Sequence, residues 1–345
     1  MRNCCGESAV VKVFAIKMVK VPQGSFIYNV GNIGGTGWNN IAGPKTVDSA
    51  LTDDLPGGAA AGWPNGYNSF YIMKYEISQG QYADFLNSIK DSTATANFHN
   101  DYNGSNGNDI NYAAGFNYGE RFTAVNANRA MNYLSTHDAW GYLSWAGLRP
   151  MTEMEYEKAS RDLAADARVY PWGDYAPADD TTTNIYTPAN EGGTHKKYYL
   201  NFRNVPGGAK VMDVGRYMSG DIYRTQEQTG ASPWGIADLL GNVWEHSVNS
   251  SYLSVPENGT GTENWPNWPV VSSTEKGIRG GSWSDGLTRG RVSVRYSASW
   301  TYTTRHSHVG ARRGHLKPCS FYAFTSAVRC ANCRIKESVP HGTFP

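Results

Sequence analysis

Thirteen consecutive residues, Tyr296 to His308 (YSASWTYTTRHSH), bring together aromatic rings, small hydroxyls, a guanidinium and two imidazoles. The run has no acidic residue, no Gly, no Pro and no aliphatic side chain larger than Ala298. Such a composition suits recognition, because Tyr and Trp give area at low rotamer cost while Ser and Thr adapt their hydrogen bonds. Exposed loops are polar by default, so composition alone leaves a plain loop over a strand pair as the alternative. Just upstream, Arg291-Val292-Ser293-Val294-Arg295 alternates, which predicts a strand with its valines inward and Ser293 and Arg295 outward. With Tyr296, Ser297, Ser299, Trp300, Tyr302, Thr304, Arg305, His306 and His308, these form an expected shallow binding patch. Tyr, Trp and Arg are the anchors that dominate binding energy at such surfaces.

Other residues could do different chemistry. His306 and His308, at i and i+2, could share one face and bind a metal, but no carboxylate or Cys lies beside them in sequence, which favours the polarity of a binding face. Cys319, Cys330, Cys333 and His341 could close a tetrahedral zinc site, yet their spacing matches no familiar zinc ribbon and free thiols are expected. Asp238, His246 and Ser247 are close along the chain, but a catalytic triad requires convergent geometry, not proximity in sequence.

The five cysteines all sit near the termini, so no disulfide framework is expected. A net charge of +1 over 345 residues gives no global argument for nucleic acid or membrane. The charge is uneven, with 11 Lys and Arg against 2 Asp and Glu from Ile278 onward, which solvated strand and loop faces also produce. No apolar run approaches the roughly 18–20 residues of a membrane span, and the first twenty residues contain no signal peptide pattern. With 38 Gly, 22 Tyr and 11 Trp the chain reads as loop-rich and globular.

Several elements are predicted to position the patch. A short strand begins at Met18, and residues 69–77 read as another. Three capping boxes start helices: Ser78 with Gln81 (79–89), Ser135 with Asp138 (136–145, burying Trp140, Leu143 and Trp145) and Thr152 with Glu155 (153–163). Residues 91–121 read as an Asn/Gly/Tyr-rich loop, and 170–174 as a turn. Gly235–His246, Ile278–Trp283 and Arg291–Tyr296 supply later strands, giving an α+β fold with few helices.

The segments 71–87, 140–161, YPWGD (170–174), DLLGNVWEH (238–246) and RGGSW (279–283) occur in the order found in the formylglycine-generating enzyme (sulfatase-modifying factor) family, which the chain resembles. That resemblance implies a C-type-lectin-like domain over 19–315, with a leader at 1–18 and a tail at 316–345. In the enzymes of the family two cysteines after RGGS bind copper. The matching positions are Asp285 and Gly290, neither a soft ligand for Cu(I), so no catalysis and no catalytic cofactor are expected. The related sulfoxide synthases carry an iron-binding three-histidine domain ahead of this one, and residues 1–18 are too short to hold it.

The chain is similar, within the same scaffold, to the variable proteins of diversity-generating retroelements. There RGGSW leads into xxGxxxG, here Ser284-Asp285-Gly286-Leu287-Thr288-Arg289-Gly290, and then a diversified window, here about 283–310. The resemblance adds Ser284, Asp285, Leu287, Thr288 and Arg289 to the ligand-binding set. It departs at Ala311, where an aromatic is usual before Arg312, and at Trp300, which no mutated Asn codon yields. What it implies is display of a protein- or glycan-binding surface, on a phage virion or bacterial cell surface. The alternatives are an oxygen-dependent formylglycine-generating oxidase and a structural surface protein of the family. The family also implies structural Ca²⁺ at Glu245 with the carbonyls of Leu240, Gly241 and Val243, and a second site including Asn184 and Ile185. Pairing of Glu245 with an Arg, or capping of a turn, is the competing expectation.

Overall fold

The computed structural model describes residues 13–29, 44–50, 64–98, 107–113, 120–162, 168–173, 200–202, 210–218, 229–248, 276–294, 304–312 and 314–315. At one end, β4 (Phe70–Met73) is the centre of a three-stranded antiparallel sheet between β1 (Met18–Val21) and β10 (Gly314–His315). Phe70 and Ile72 are buried and Tyr71 is half-buried, the alternation of a one-sided strand. Residues near both ends of Lys17–Pro318, one compact unit, thus meet in one sheet. The leader and tail expectations lie almost wholly outside the described residues.

The second three-stranded sheet carries the candidate site. Its central strand β7 (Trp244–Val248) pairs antiparallel with β8 (Lys276–Arg279) and parallel with β9 (Val309–Gly310). All five β7 residues are buried, as a strand covered on both faces must be. Two antiparallel pairs, β2 (Phe26–Tyr28) with β3 (Lys45–Val47) and β5 (Ile110–Tyr112) with β6 (Phe122–Ala124), are the remaining strands among the described residues.

All three capping boxes are formed, and they start α1 (Gln79–Ser88), α3 (Thr136–Trp145) and α4 (Glu153–Ser160). Tyr82 and Phe85 pack on Tyr142, with ring centres 6.3 and 5.8 Å away, which joins α1 to α3. Trp140 and Leu143 are buried, whereas Trp145 is only half-buried. α4 stops three residues before the expected end, because Arg161 turns extended (φ −117°) and sends its guanidinium back to Glu157 and its Nε–H to the Arg168 carbonyl.

Two further differences have physical causes. The expected loop at 91–121 contains α2 (Asp91–Ala96) and strand β5; the Phe98, Tyr112 and Phe122 rings pack 5.1–5.7 Å apart, and Asn87 holds the Phe122 N–H and C=O. In the expected strand 235–246 only Trp244 onward is extended, since Asp238, Gly241 and Asn242 take positive φ. Few helices and short strands in small sheets make this the expected α+β, C-type-lectin-like fold. Among the described residues no helix is long and apolar enough to cross a membrane.

Candidate functional site

The floor of the site is a buried ionic network. β8 delivers Arg279 and α4 delivers Glu157, with Arg161 next to the helix end. Glu157 Oε1 accepts from Arg279 Nη2 at 2.6 Å; Oε2 accepts from Arg161 Nη1 at 2.5 Å, Ser293 Oγ at 2.9 Å and the Asn29 N–H at 2.8 Å. Arg279 also donates to the Val294 carbonyl at 2.8 Å and lies over the Tyr156 ring. Burial lowers Arg161 from its ordinary pKa, with the Glu157 charge opposing. Ser293 is therefore corrected from ligand contact to core residue: it is fully buried and also accepts from Arg161 Nη2 at 2.7 Å. The segment turns (Val294 N–H to the Arg291 carbonyl) instead of running as a strand, so strand alternation does not apply to it.

Above this floor the RGGSW residues bend sharply. Gly280 and Gly281 take φ of +101° and +73°, and a Cβ on Gly280 would lie 2.7 Å from the Leu239 carbonyl oxygen. The Trp283 indole is nearly buried and donates to the Ser307 carbonyl at 3.2 Å. Asp285, also expected to touch ligand, is buried. Its Oδ2 accepts from Trp244 Nε1 at 2.7 Å and Ser282 Oγ at 2.6 Å, and its Oδ1 pairs with Arg289 Nη1 at 3.2 Å. It ties the turn to β7 instead of presenting a carboxylate. At Gly290, the other position matched to a family cysteine, an added Cβ would sit 2.5 Å from the Phe202 ring.

The opposite rim, Thr304–His308, is pinned from behind. Arg305, half-buried, binds both oxygens of Asp138 at 2.7 Å and the Ala96 carbonyl at 2.8 Å, so it clamps the rim to the start of α3. The Tyr133 N–H, Asn132 Nδ2 and Trp244 N–H donate to the carbonyls of His306, Ser307 and His308 respectively. Ser284, Arg289, His306 and His308 are half-buried and Thr304 is exposed, so these five keep accessible surface, as the half-buried Arg305 and Ser307 do. Burial lowers the His306 and His308 pKa values, and Asp285 opposes this at His308. Leu287 and Thr288 lie in a short 3-10 turn, Leu287–Gly290. Arg295, Tyr296, Ser297, Ser299, Trp300 and Tyr302 lie outside the described residues, as do Asn184 and Ile185.

Glu245 pairs with an Arg, one of the two sequence alternatives: Oε1 accepts from Arg312 Nε at 2.7 Å, with both side chains fully buried. Its Oε2 is buried and makes no hydrogen bond. Burial raises Glu245 to about 7, against the pull of Arg312, and also raises Glu76 and Asp238. Three carboxylates, Glu76, Asp238 and Glu245, thus bear electrostatically on one guanidinium, Arg312. Among the described residues no three His, Cys, Asp or Glu side chains converge as a metal site. Carboxylate and carbonyl oxygens are the hard donor type that Ca²⁺ takes, and the buried Glu245 Oε2 is such an atom left without a hydrogen bond. No triad forms either, since Asp238 accepts from the Gly215 N–H and His246 Nε2 bonds the Leu134 carbonyl.

The residues that sequence reasoning missed are Asn132, Tyr133, Glu157 and Arg161; Glu157 and Arg161 pair with each other four residues apart, but Arg279, Ser293 and the rim carbonyls that these four also hold lie far away in sequence. Only the Glu-rich α4 hinted at them.

A model of the sulfatase-modifying factor enzyme 1-like domain matches residues 11–313. A hercynine oxygenase of Mycobacterium tuberculosis is 28% identical over 172 residues, 46% of this chain and 31% of that protein. The chain matches about a third of that relative's length. Two other hercynine oxygenases, from Mycolicibacterium species, are 27% and 29% identical. Among solved structures, PvdO from Pseudomonas aeruginosa aligns with a TM-score of 0.46 at 17% identity, covering 89% of this chain and 99% of that one. Treponema denticola variable protein 1 aligns at 0.41 and 13% identity, covering 90% and 100%. Relatives named as oxygenases overturn the expectation of a non-enzyme.

Proposed function

The chain belongs to the sulfatase-modifying factor enzyme 1-like domain family, and from that premise we propose that its rim of Ser284, Arg289, Thr304, His306 and His308 recognises a protein or glycan ligand. One observation carries the reading: the rim backbone is fixed by buried partners while these five side chains stay accessible. A pre-fixed backbone lowers the ordering cost of binding. The guanidinium and imidazoles supply directional donors and acceptors. A calcium ion held by Glu245 and the carbonyls of Leu240, Gly241 and Val243 belongs to the same proposal and would stiffen the turn before β7.

The test is binding of the full chain to arrays of glycans and of cell-surface proteins, followed by Arg289→Ala, His306→Ala and His308→Ala on any hit. At least one substitution should weaken binding about tenfold, the effect of a modest hot spot. Unchanged affinity in all three sinks the proposal.

The oxygenase relatives favour a second reading, in which the same rim holds the substrate of an oxidation. Oxygen uptake by the purified chain with hercynine as the probe separates the two.

A further inference from the structure

We propose that His306 and His308 form a two-imidazole site for a borderline transition-metal ion, with Zn²⁺, Cu²⁺ or Ni²⁺ as the fitting class. The two ring centres are 5.6 Å apart, with planes inclined by 36°. Two imidazoles on one tetrahedral ion, at roughly 2.0–2.1 Å per bond, place their ring centres about 5 Å apart. The observed separation is close to that spacing. Imidazole nitrogen suits these metals and not Ca²⁺ or Mg²⁺.

A second observation concerns orientation. Thr304 Oγ1 lies 3.0 Å from His306 Nε2. With Nε2–H donating to that hydroxyl, the ligating lone pair is on Nδ1. This is how a second-shell partner fixes the tautomer and the ring angle of a metal-bound histidine. The backbone behind both rings is held as well, by Tyr133 N–H on the His306 carbonyl at 3.0 Å and Trp244 N–H on the His308 carbonyl at 2.9 Å. Such a pair is therefore preorganised, and the entropy of bringing the two rings together is already spent in folding.

His308 lies in the electrostatic reach of Asp285, whose carboxylate favours a cation there, and of Arg289 and His306, which act the other way. Among the described residues no third His, Cys, Asp or Glu completes the set. The remaining coordination positions belong to water or to an incoming carboxylate, hydroxyl or imidazole. The site is independent of whether the rim binds a protein, a glycan or a small substrate.

The experiment is calorimetric titration of ZnCl₂ into the full chain after alkylation of its five cysteines, which removes thiol binding near the termini. One Zn²⁺ per chain is expected. His306→Ala and His308→Ala should each weaken binding at least about tenfold, and Thr304→Val by a smaller factor, as a second-shell change does. Both imidazoles are partly exposed, so the variants keep the fold; matching far-ultraviolet circular dichroism checks this. Absence of uptake by the parent chain, or the same affinity and stoichiometry in the double variant, overturns the site.

Discussion

Glu157→Gln tests whether the buried network sets the rim. The substitution keeps the side-chain shape and removes one charge, leaving Arg161 and Arg279 opposite a neutral amide with no access to water. Breaking a buried ion pair from one side costs about 3–5 kcal/mol, because the remaining charge is uncompensated. Two guanidiniums share this carboxylate, so the upper half of that range applies. Unfolding entropy near 2.1 cal/mol/K per residue over a unit of this size converts the loss into a fall in Tm of roughly 6–8 °C. Calorimetry at pH 7 measures the fall. Hydrogen exchange should also rise at Arg291–Val294, where Glu157 holds Ser293 and Arg279 holds the Val294 carbonyl. A Tm within about 1 °C of the parent, with exchange unchanged there, would refute the reasoning.

Arg305→Ala removes the clamp on Asp138 and should cost about 1.5–3 kcal/mol, the value of charge-assisted hydrogen bonds, measured by urea unfolding; exchange should rise at residues 304–308. Gly290→Cys should destabilise by about 1–3 kcal/mol through overpacking, since its Cβ meets Phe202, and the double change with Asp285→Cys should lose the Trp244 tie as well. Both rim histidines have folded pKa values below the ordinary 6.5, so their contribution to stability is complete above 6.5 and is lost as pH falls through the folded values; His306→Gln with His308→Gln should flatten that acid-side slope in thermal scans. Calcium at about 100 times its Kd should add about 2.7 kcal/mol, seen as a higher Tm than in chelator, and equal Tm values would remove Ca²⁺ from the Glu245 site.

Much of the fold could be read locally. A capping box is a four-residue signal, and Ser78/Gln81, Ser135/Asp138 and Thr152/Glu155 all started the helices they announced. The site was less accessible. Arg279 finds Glu157 across 122 residues, and Arg305 finds Asp138 across 167. No local pattern encodes either pair. Ser293 was misplaced because alternation presumes a strand, and a single turn at Arg291–Val294 cancels it. The strand pair in the Asn/Gly-rich insertion was missed because its stability comes from three rings, Phe98, Tyr112 and Phe122, spread over 25 residues of sequence.

These errors share one cause, which bears on how the site works. Ser293 and Asp285, which lie in the interior, and Arg305, which is half-buried, each carry a polar group that engages a buried partner. A buried Glu157 or Asp138 without its donors would pay full desolvation, so the fold recruits Ser and Arg from the polar segment to satisfy them. Ser284, Arg289, Thr304, His306 and His308 keep surface of their own, although Arg289 also pairs with the buried Asp285. The polar segment therefore divides into residues whose identity the interior dictates and residues whose identity it leaves open. Ligand chemistry can vary only in the second group without disturbing the ionic floor, and the two half-buried imidazoles fall within it.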